Sequence, residues 1–376
     1  MKYINFLIKP ASSLCNMRCH YCFYEDIAEK RSCKSMGIMS NETADILIAS
    51  AFRSAERGTT VSFAFQGGEP TLAGLDYFRH FTQTAKSLCP PNVSLCFSIQ
   101  TNGILIDEDW VKLFKEHDFL VGLSLDGTKD LHDLNRVDAA GKGTWTKLCR
   151  GLSLMQSHKV RVNILCVVTN QCARHPGKVY SSLKKLGVKY MQFIPCMDPS
   201  EEERGTECYS LQPDRYGDFL CQLFDLWYLD WEKGNYHSVR LFDDYVNMII
   251  DGHPGTCATC GRCGSYFVVE GDGSIYPCDF YVLDLWKTGQ LGENSLEQIA
   301  ESEVSRKFLL WGQDKPGECQ ACRWRALCNG GCKHDWISSK DGRHNYLCPS
   351  FKKFFAHAES RLLAIARAEL AARRNK

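Results

Sequence analysis

The chain has 376 residues, and 44% of them are hydrophobic, which is enough for one large domain or two with a sizeable core. Lysine and arginine (45) nearly balance aspartate and glutamate (44), so no excess of positive charge indicates binding to nucleic acid or an anionic membrane. The chain has no signal-peptide pattern and no apolar run long enough to cross a bilayer, so we expect a cytoplasmic protein.

Six strand-like segments alternate with helix-like segments over the first 235 residues. They are rich in valine, isoleucine and phenylalanine, and most end in a turn residue. The predicted strands are 3–10, 60–67, 94–101, 119–127, 161–169 and 189–195. This alternation predicts an α/β fold with a parallel sheet and helices outside it. Two strands are missing for a closed eight-stranded barrel, so we predict an open (β/α)6 partial TIM barrel over residues 1–235.

The pattern changes after residue 235. The segment "FVVEGDGSIYPCDF" (267–280) predicts a β-hairpin, with a Gly-Asp-Gly turn between two short strands. Apolar residues at helical spacing after residue 350 predict a C-terminal helix. Nine cysteines lie between residues 257 and 348. We therefore predict a second, cysteine-rich domain over residues 236–376.

Cysteines are the strongest chemical signal in the sequence. The chain has 21 of them, although disulfides are disfavoured in the cytoplasm, and clustered thiols in that compartment usually hold a metal or do redox chemistry. Cys15, Cys19 and Cys22 follow the first predicted strand, which places them at the carboxyl rim of the barrel, where chemistry collects in such folds. A structural zinc site needs four ligands, and His20 would have to turn back within the same short loop to be the fourth. Three cysteines on a four-iron cluster would instead leave one iron open.

The stretch "CNMRCHYCFY" (15–24) resembles the radical S-adenosylmethionine (SAM) superfamily, in which the open iron binds the methionine moiety of SAM. "QGGEPTLAG" (66–74), at the end of the second predicted strand, resembles the Gly-Gly-Glu-Pro stretch of the same superfamily. The resemblance implies a [4Fe-4S] cluster on Cys15, Cys19 and Cys22. It further implies contacts with SAM by a set of residues at strand ends. These are Tyr21, Gly68, Ser124, Arg136 and Met197.

"CQACRWRALCNGGC" (319–332) resembles the SPASM extension, which carries two further four-iron clusters. The resemblance implies one cluster on Cys257, Cys263, Cys278 and Cys332. It implies the other on Cys319, Cys322, Cys328 and Cys348. Cys260 departs from the pattern, because it could replace Cys257 or Cys263. A zinc-ribbon interpretation of Cys319 and Cys322 with Cys328 and Cys332 stays open, because spacing alone does not identify the metal.

Along nearly its whole length the chain resembles the anaerobic sulfatase-maturating enzymes, for example in "FAFQGGEPTLAGLDYF" and "FVVEGDGSIYPCDFYVLD". The resemblance implies that a 5′-deoxyadenosyl radical removes a Cβ hydrogen from a cysteine or serine of an unfolded or nascent sulfatase, which becomes Cα-formylglycine. It makes Asp279 the candidate general base. Tyr24 and Gln66 are candidate contacts for the substrate peptide. A flavodoxin- or ferredoxin-type protein would supply electrons.

Two alternatives remain at this point. One is another SPASM enzyme that forms thioether bonds or crosslinks in a ribosomal peptide. Only 14 residues precede Cys15, so we expect none of the N-terminal recognition domain that such enzymes often carry. The other is a non-catalytic iron–sulfur or zinc protein, which the complete set of SAM-site residues disfavours.

Overall fold

The computed structural model describes residues 2–199, 204–253, 255–264, 266–340 and 342–374. These residues form twelve strands, fourteen α-helices and six short 3₁₀ helices. The strands are β1 (Tyr3–Ile8), β2 (Thr60–Phe65), β3 (Ser94–Thr101), β4 (Leu120–Ser124), β5 (Arg161–Val168), β6 (Tyr190–Pro195), β7 (Ser238–Val239), β8 (Phe267–Val269), β9 (Ser274–Tyr276), β10 (Gly289–Gln290), β11 (Trp336–Ser339) and β12 (Gly342–Asn345). The helices are α1 (Phe23–Glu29), α2 (Asn41–Arg53), α3 (Leu75–Leu88), α4 (Glu108–Glu116), α5 (Lys129–Asn135), α6 (Trp145–Ser157), α7 (Pro176–Lys185), α8 (Pro213–Glu232), α9 (Arg240–Asp251), α10 (Cys257–Cys260), α11 (Leu296–Ala300), α12 (Glu303–Trp311), α13 (Arg325–Cys328) and α14 (Cys348–Arg374).

The chain forms two compact units, and each draws on separated parts of the sequence. The first comprises Met1–Leu125, His132–Asn163 and Ser265–Phe308. The second comprises Asp126–Leu131, Ile164–Gly264 and Leu309–Lys376. The predicted hairpin thus lies in the first unit, while the predicted domain boundary at residues 235/236 stays a prediction.

Strands β1 to β4 of the first unit pair in parallel and in chain order, and each begins within one residue of its predicted start. Alternate side chains of β2 point to one face, where Val61, Phe63 and Phe65 are buried. Phe63 stacks on Phe6 at a centroid separation of 5.5 Å, and helix α3 adds Phe81, whose ring meets Phe63 edge-on at 5.1 Å. Large buried aromatic rings therefore hold the sheet to its helices.

Strand β8 pairs in parallel with the free side of β1, with Phe6 opposite Phe267 and Ile8 opposite Val269. Strand β9 then pairs antiparallel with β8, as the predicted hairpin requires, and β10 pairs antiparallel with β9. All three residues of β8 are buried, which is typical of a strand covered on both faces. The hairpin was predicted, but its place beside β1 was not.

In the second unit β6 pairs in parallel with β5 and with the two-residue strand β7. Helix α14 packs on α8 and α9 through aromatic side chains: the Phe354 ring lies 5.6 Å from Phe224 and 5.5 Å from Phe242. The helix begins at Cys348, three residues before the first apolar position that predicted it. No helix of the described residues is long and apolar enough to cross a membrane.

Candidate active site

The three-cysteine loop follows β1 and is held mainly by its backbone. The amides of Arg18 and His20 donate to the carbonyls of Val137 (2.8 Å), just after α5, and Asn135 (3.0 Å), the last residue of α5. Cys22 is the N-cap of α1, and its own amide donates to the Cys19 carbonyl at 3.1 Å. These bonds fix the loop through its backbone.

Gly67 and Gly68 allow the segment that leads into Cys15 to approach β2. The Gly68 amide donates to Ser12 O at 2.9 Å, and the Glu69 amide donates to Leu14 O at 2.8 Å. A Cβ atom on Gly68 would lie 2.1 Å from Leu14 O, a separation that no relaxation of a flexible side chain could relieve. Gly67 also has φ +119°, a conformation that favours glycine. The Gly-Gly pair thus positions the cysteine loop itself.

Glu69 ties the ends of β2 and β3 together from a fully buried position. One carboxylate oxygen accepts hydrogen bonds from the Thr71 hydroxyl (2.6 Å) and the Thr101 hydroxyl (2.7 Å), and the other accepts from the Asn102 amide (2.7 Å). The Asn102 side chain in turn donates to Asn16 Oδ1 at 2.7 Å and approaches the Cys15 sulfur at 3.8 Å. This chain of contacts fixes Cys15 against the strand ends.

The thiols of the loop fit a metal cluster in donor chemistry. Burial raises the pKa of Cys15 to about 11 and raises that of Cys22 as well, so an isolated thiol here would stay protonated. Donors that stabilise a thiolate are nonetheless in place, including the Met17 amide 3.4 Å from the Cys15 sulfur. A bound cation would complete the change to thiolates, since metal binding deprotonates its cysteine ligands.

The residues predicted to contact SAM occupy several positions. Tyr21 and Arg136 are both buried, and the guanidinium lies 5.4 Å from the centre of the tyrosine ring, within the range of a cation–π contact. Ser124 is buried at the carboxyl end of β4 in the same unit. Met197 is half-buried, two residues beyond β6, in the second unit. Their contacts with SAM remain predictions.

Asp279 lies at the start of the turn that follows β9, and two other predicted residues bond to it. Its Oδ2 atom accepts a hydrogen bond from the Tyr24 hydroxyl at 2.6 Å and another from Gln66 Nε2 at 3.2 Å. Gln66 Nε2 also donates to the Tyr24 hydroxyl at 2.7 Å. The structure therefore brings the candidate base and both candidate substrate contacts into one small network.

A buried cluster of charged side chains contacts Asp279. Lys9 and Glu270 are the first residues after the parallel strands β1 and β8, so the strand pairing sets their side chains next to each other. The Lys9 ammonium lies 3.3 Å from Glu270 Oε1 and 3.9 Å from Asp279 Oδ1. Arg31 closes the cluster with a 2.6 Å contact to Glu270. Two cations and two carboxylates thus balance each other out of water.

The two oxygens of Asp279 differ in their surroundings. Oδ2 has both hydrogen-bond donors, whereas Oδ1 is buried and has no hydrogen-bond partner among the described residues. Burial raises the pKa of Asp279, while the Lys9 ammonium and the Tyr24 hydrogen bond act in the opposite direction with smaller effect. Oδ1 therefore accepts no hydrogen bond from the described residues, and it belongs to a carboxyl group whose pKa is higher than usual.

Four cysteines of the second unit line a single cavity. They are the set that the resemblance assigned to one cluster, Cys319, Cys322, Cys328 and Cys348. Cys319 and Cys322 lie in the short segment before α13. Cys328 is the last residue of α13, and Cys348 is the first residue of α14. Burial raises the pKa values of Cys328 and Cys348 to about 11. Four thiols around one space match the ligand number of a four-iron cluster.

The cysteines of the other predicted cluster divide between the units. Cys257, Cys263 and Cys332 belong to the second unit and Cys278 to the first, so this ligand set remains a prediction. Within the second unit the Asn329 side chain donates to Thr259 O at 2.8 Å and thereby links the Cys257–Cys260 helix to the turn after Cys328. Among the residues that the structure describes, no three or more His, Cys, Asp or Glu side chains converge on a point where a single metal ion could sit, so all the ligand sets stay predictions.

Comparison with known proteins identifies this combination of elements. Residues 10–181 match the model of the radical SAM superfamily, and residues 252–323 match the SPASM iron–sulfur cluster-binding domain. The cysteine-type anaerobic sulfatase-maturating enzyme of Clostridium novyi is 43% identical over 369 residues, which cover 98% of each chain. The chain belongs to the anaerobic sulfatase-maturating enzymes.

Further relatives in this family include both named types. The cysteine-type enzyme of Clostridium perfringens is 44% identical over 97% of this chain and 99% of its own. The serine-type enzyme of Klebsiella aerogenes is 32% identical over 94% of this chain and 84% of its own. A solved structure of anSMEcpe with bound AdoMet and Cp18Cys peptide matches with a TM-score of 0.92 at 43% identity, over 97% of this chain and 99% of that one. The predicted α/β fold of the radical SAM type, with a C-terminal SPASM domain, is confirmed.

Several residues of this anaerobic sulfatase-maturating enzyme were not predicted from its sequence. Lys9, Glu270 and Arg31 surround Asp279, yet each resembles an ordinary surface charge when only its neighbours in sequence are considered. Asn102 follows the third strand, in the position equivalent to that of Gln66 after the second. The motif "QTNG" that contains it carried the signal, because polar residues at successive carboxyl ends of parallel strands meet at one rim.

Proposed function

We propose that this chain oxidises a cysteine of a sulfatase peptide to Cα-formylglycine, with Asp279 as the general base. The proposal rests on a buried carboxylate in which one oxygen accepts two hydrogen bonds and the other has no hydrogen-bond partner among the described residues. The choice of cysteine over serine rests on the relatives, since the cysteine-type enzymes are 43–44% identical to this chain and the serine-type ones 28–32%. As predicted from the sequence, the substrate would be unfolded or nascent, the donor would be flavodoxin- or ferredoxin-like, and the reaction would take place in the cytoplasm.

Residues of this chain accept the proton of the substrate thiol and position the acceptor. Tyr24 and Gln66 hold Oδ2 of Asp279, which leaves Oδ1 as the atom that accepts the proton from the substrate sulfur. The neighbouring Lys9 ammonium stabilises the carboxylate before the transfer. Because the Lys9–Glu270–Arg31 cluster is fixed by strand pairing, the carboxylate needs little reorganisation during the reaction.

The residues present fit the groups that the family implies. Cys15, Cys19 and Cys22 would hold a [4Fe-4S] cluster, and Tyr21, Gly68, Ser124, Arg136 and Met197 would surround SAM. When bound, SAM and this cluster supply the radical that removes one Cβ hydrogen from the substrate. Asp279 would accept the thiol proton of the substrate, and the auxiliary clusters, when bound, would provide the acceptor for one electron. The carbon–sulfur bond of the substrate becomes double, and hydrolysis then releases sulfide and leaves the aldehyde.

The test uses anaerobically reconstituted, reduced enzyme with SAM and a peptide that contains Cys-x-Pro-x-Arg. We expect the peptide mass to change from thiol to aldehyde and 5′-deoxyadenosine to form. Asp279→Asn should slow peptide oxidation about 10²–10⁴-fold, the usual contribution of a general base. Asp76→Asn is the matched control, because the Asp76 side chain in the same unit is 97% exposed.

Two outcomes would contradict the proposal. 5′-deoxyadenosine without any change in this peptide would point to another peptide substrate, for which thioether or crosslink formation is the second candidate. Undiminished oxidation by Asp279→Asn would remove Asp279 from the role of base.

A further inference from the structure

The cavity lined by Cys319, Cys322, Cys328 and Cys348 has three charged side chains in its wall. They are Glu318, Arg325 and Lys352. The rest of the lining includes the aromatic rings of Trp324, Phe351 and Phe355. Charges in this wall act on a redox group inside it, and water screens them in part, because the Lys352 and Glu318 side chains are 46% and 38% exposed.

Lys352 occupies a specific place in this wall. It follows Cys348 by four residues on α14, so the two side chains lie one above the other on the same face of the helix. Its ammonium donates a 2.9 Å hydrogen bond to Glu318, the residue directly before Cys319. Lys352 thus links the two chain segments that contribute the first and last cysteines of the set.

Lys352 and Glu318 carry opposite charges at the two ends of the ligand set. Lys352 lies one helical turn after Cys348, and Glu318 lies directly before Cys319. The two charges therefore act with opposite sign on a redox group in the cavity.

We propose that Lys352 raises the reduction potential of the iron–sulfur cluster held by Cys319, Cys322, Cys328 and Cys348, and that Glu318 opposes it. This inference rests on the proposed function, in which an auxiliary cluster occupies this cavity. Four thiolates give such a cluster a net negative charge, and reduction adds one more, so a nearby cation favours the reduced form. A more oxidising cluster is the better acceptor for the electron that leaves the substrate.

The experiment is a potentiometric titration of the anaerobically reconstituted full chain, followed by electron paramagnetic resonance. In Lys352→Gln we expect a threefold to tenfold fall in the equilibrium constant for one-electron reduction of one cluster, where tenfold corresponds to about 59 mV. Glu318→Gln should shift the same step upward, and the double variant should return close to the parent. The other two clusters should keep their potentials.

Lys353→Gln is the matched control. It removes the same charge from the next residue of α14, whose ammonium pairs with Asp218 at 2.5 Å, and Lys353 is not among the residues that line the cavity. A direct charge effect should also weaken as ionic strength rises, because the Lys352 side chain is 46% exposed, whereas a structural defect should not.

The failures of the inference and of the proposed function are distinguishable. If the reconstituted parent contains iron for fewer than three clusters, the ligand set is overturned and the inference falls with it. If all three clusters are present and peptide is oxidised, but Lys352→Gln and Lys353→Gln titrate alike, only the inference is overturned.

Discussion

The Asp279 network and the Lys352–Glu318 pair both place charges beside reacting groups, but in opposite environments. Lys9 and Glu270 are 2% and 0% exposed, and their neighbours Arg31 and Asp279 are buried as well. The side chains of Lys352 and Glu318 are 46% and 38% exposed. The charges of the first region are buried, whereas those of the second lie at the surface.

This difference in exposure determines how the stability of each region responds to substitution of its charges. Buried charges must balance one another, because an unpaired charge out of water is strongly unfavourable. The Asp279 network is therefore coupled to the stability of the first unit. A surface pair contributes little to stability, so the charge beside the four-cysteine cavity can change without loss of the fold. Three substitutions test this contrast.

The largest effect should come from Glu270→Gln. It leaves Lys9 and Arg31 buried without their carboxylate, so we expect a loss of about 3–5 kcal/mol in the free energy of unfolding at neutral pH. Burial alone would raise the pKa of Glu270, but Lys9 and Arg31 together lower it. The stability that the Glu270 carboxylate contributes is therefore fully present above the pKa of a glutamate in the unfolded chain, about 4.3. It is lost as the pH falls through the lower pKa of Glu270 in the folded protein.

Denaturant unfolding of parent and Glu270→Gln between pH 7 and pH 3 checks both statements. The difference between the two proteins should shrink toward the acid end. A difference of less than about 1 kcal/mol at pH 7 would place this cluster in the same class as a surface pair.

An intermediate effect is expected from Tyr24→Phe, this time on activity. It removes the 2.6 Å hydrogen bond to Asp279 Oδ2, and a hydrogen bond to a charged group contributes about 1.5–3 kcal/mol. We therefore expect peptide oxidation to slow by roughly 10- to 100-fold, as measured by aldehyde formation under saturating SAM.

Tyr236→Phe provides the control for Tyr24→Phe. It removes a hydrogen bond of the same length, from Tyr236 to Asp243, in the second unit. Both variants lose some stability, but only Tyr24→Phe should slow oxidation. Equal rates in the two variants would show that Tyr24 does not position the base.

The smallest effect should come from Glu359→Gln. Its pairing with Arg323 is 2.6 Å long, yet the two side chains are 40% and 66% exposed. We expect a change of about 0–1 kcal/mol in the free energy of unfolding, which 0.5 M salt should remove. A loss comparable to that of Glu270→Gln would erase the contrast between buried and exposed pairs.

Much of the fold was predictable because its signals are local. Strands β1 to β6 each start within one residue of their prediction, since runs of β-branched and aromatic residues mark them. Spacing alone singled out Cys15, Cys19 and Cys22, and the resemblance added Asp279. These residues are close together in sequence or carry a motif.

The remainder depends on contacts between distant parts of the chain. Lys9 meets Glu270 only because β8 pairs with β1, and no periodicity in either segment encodes that pairing. The division into units has the same origin, because the segment Ser265–Phe308 returns to the first unit. Sequence patterns specify which face of a strand is buried but not which strand lies beside it.

The pairing of β1 with β8 also has a consequence for biosynthesis. β1 can join β2 once about 65 residues have been made, but its other edge stays open until Val269 has emerged. At ribosomal rates of about 5–20 residues per second, that edge waits on the order of 10–40 s. An open apolar strand edge invites pairing with other chains. The hairpin that covers this edge also carries Asp279, so protection of the strand edge and assembly of the Asp279 network take place in the same step.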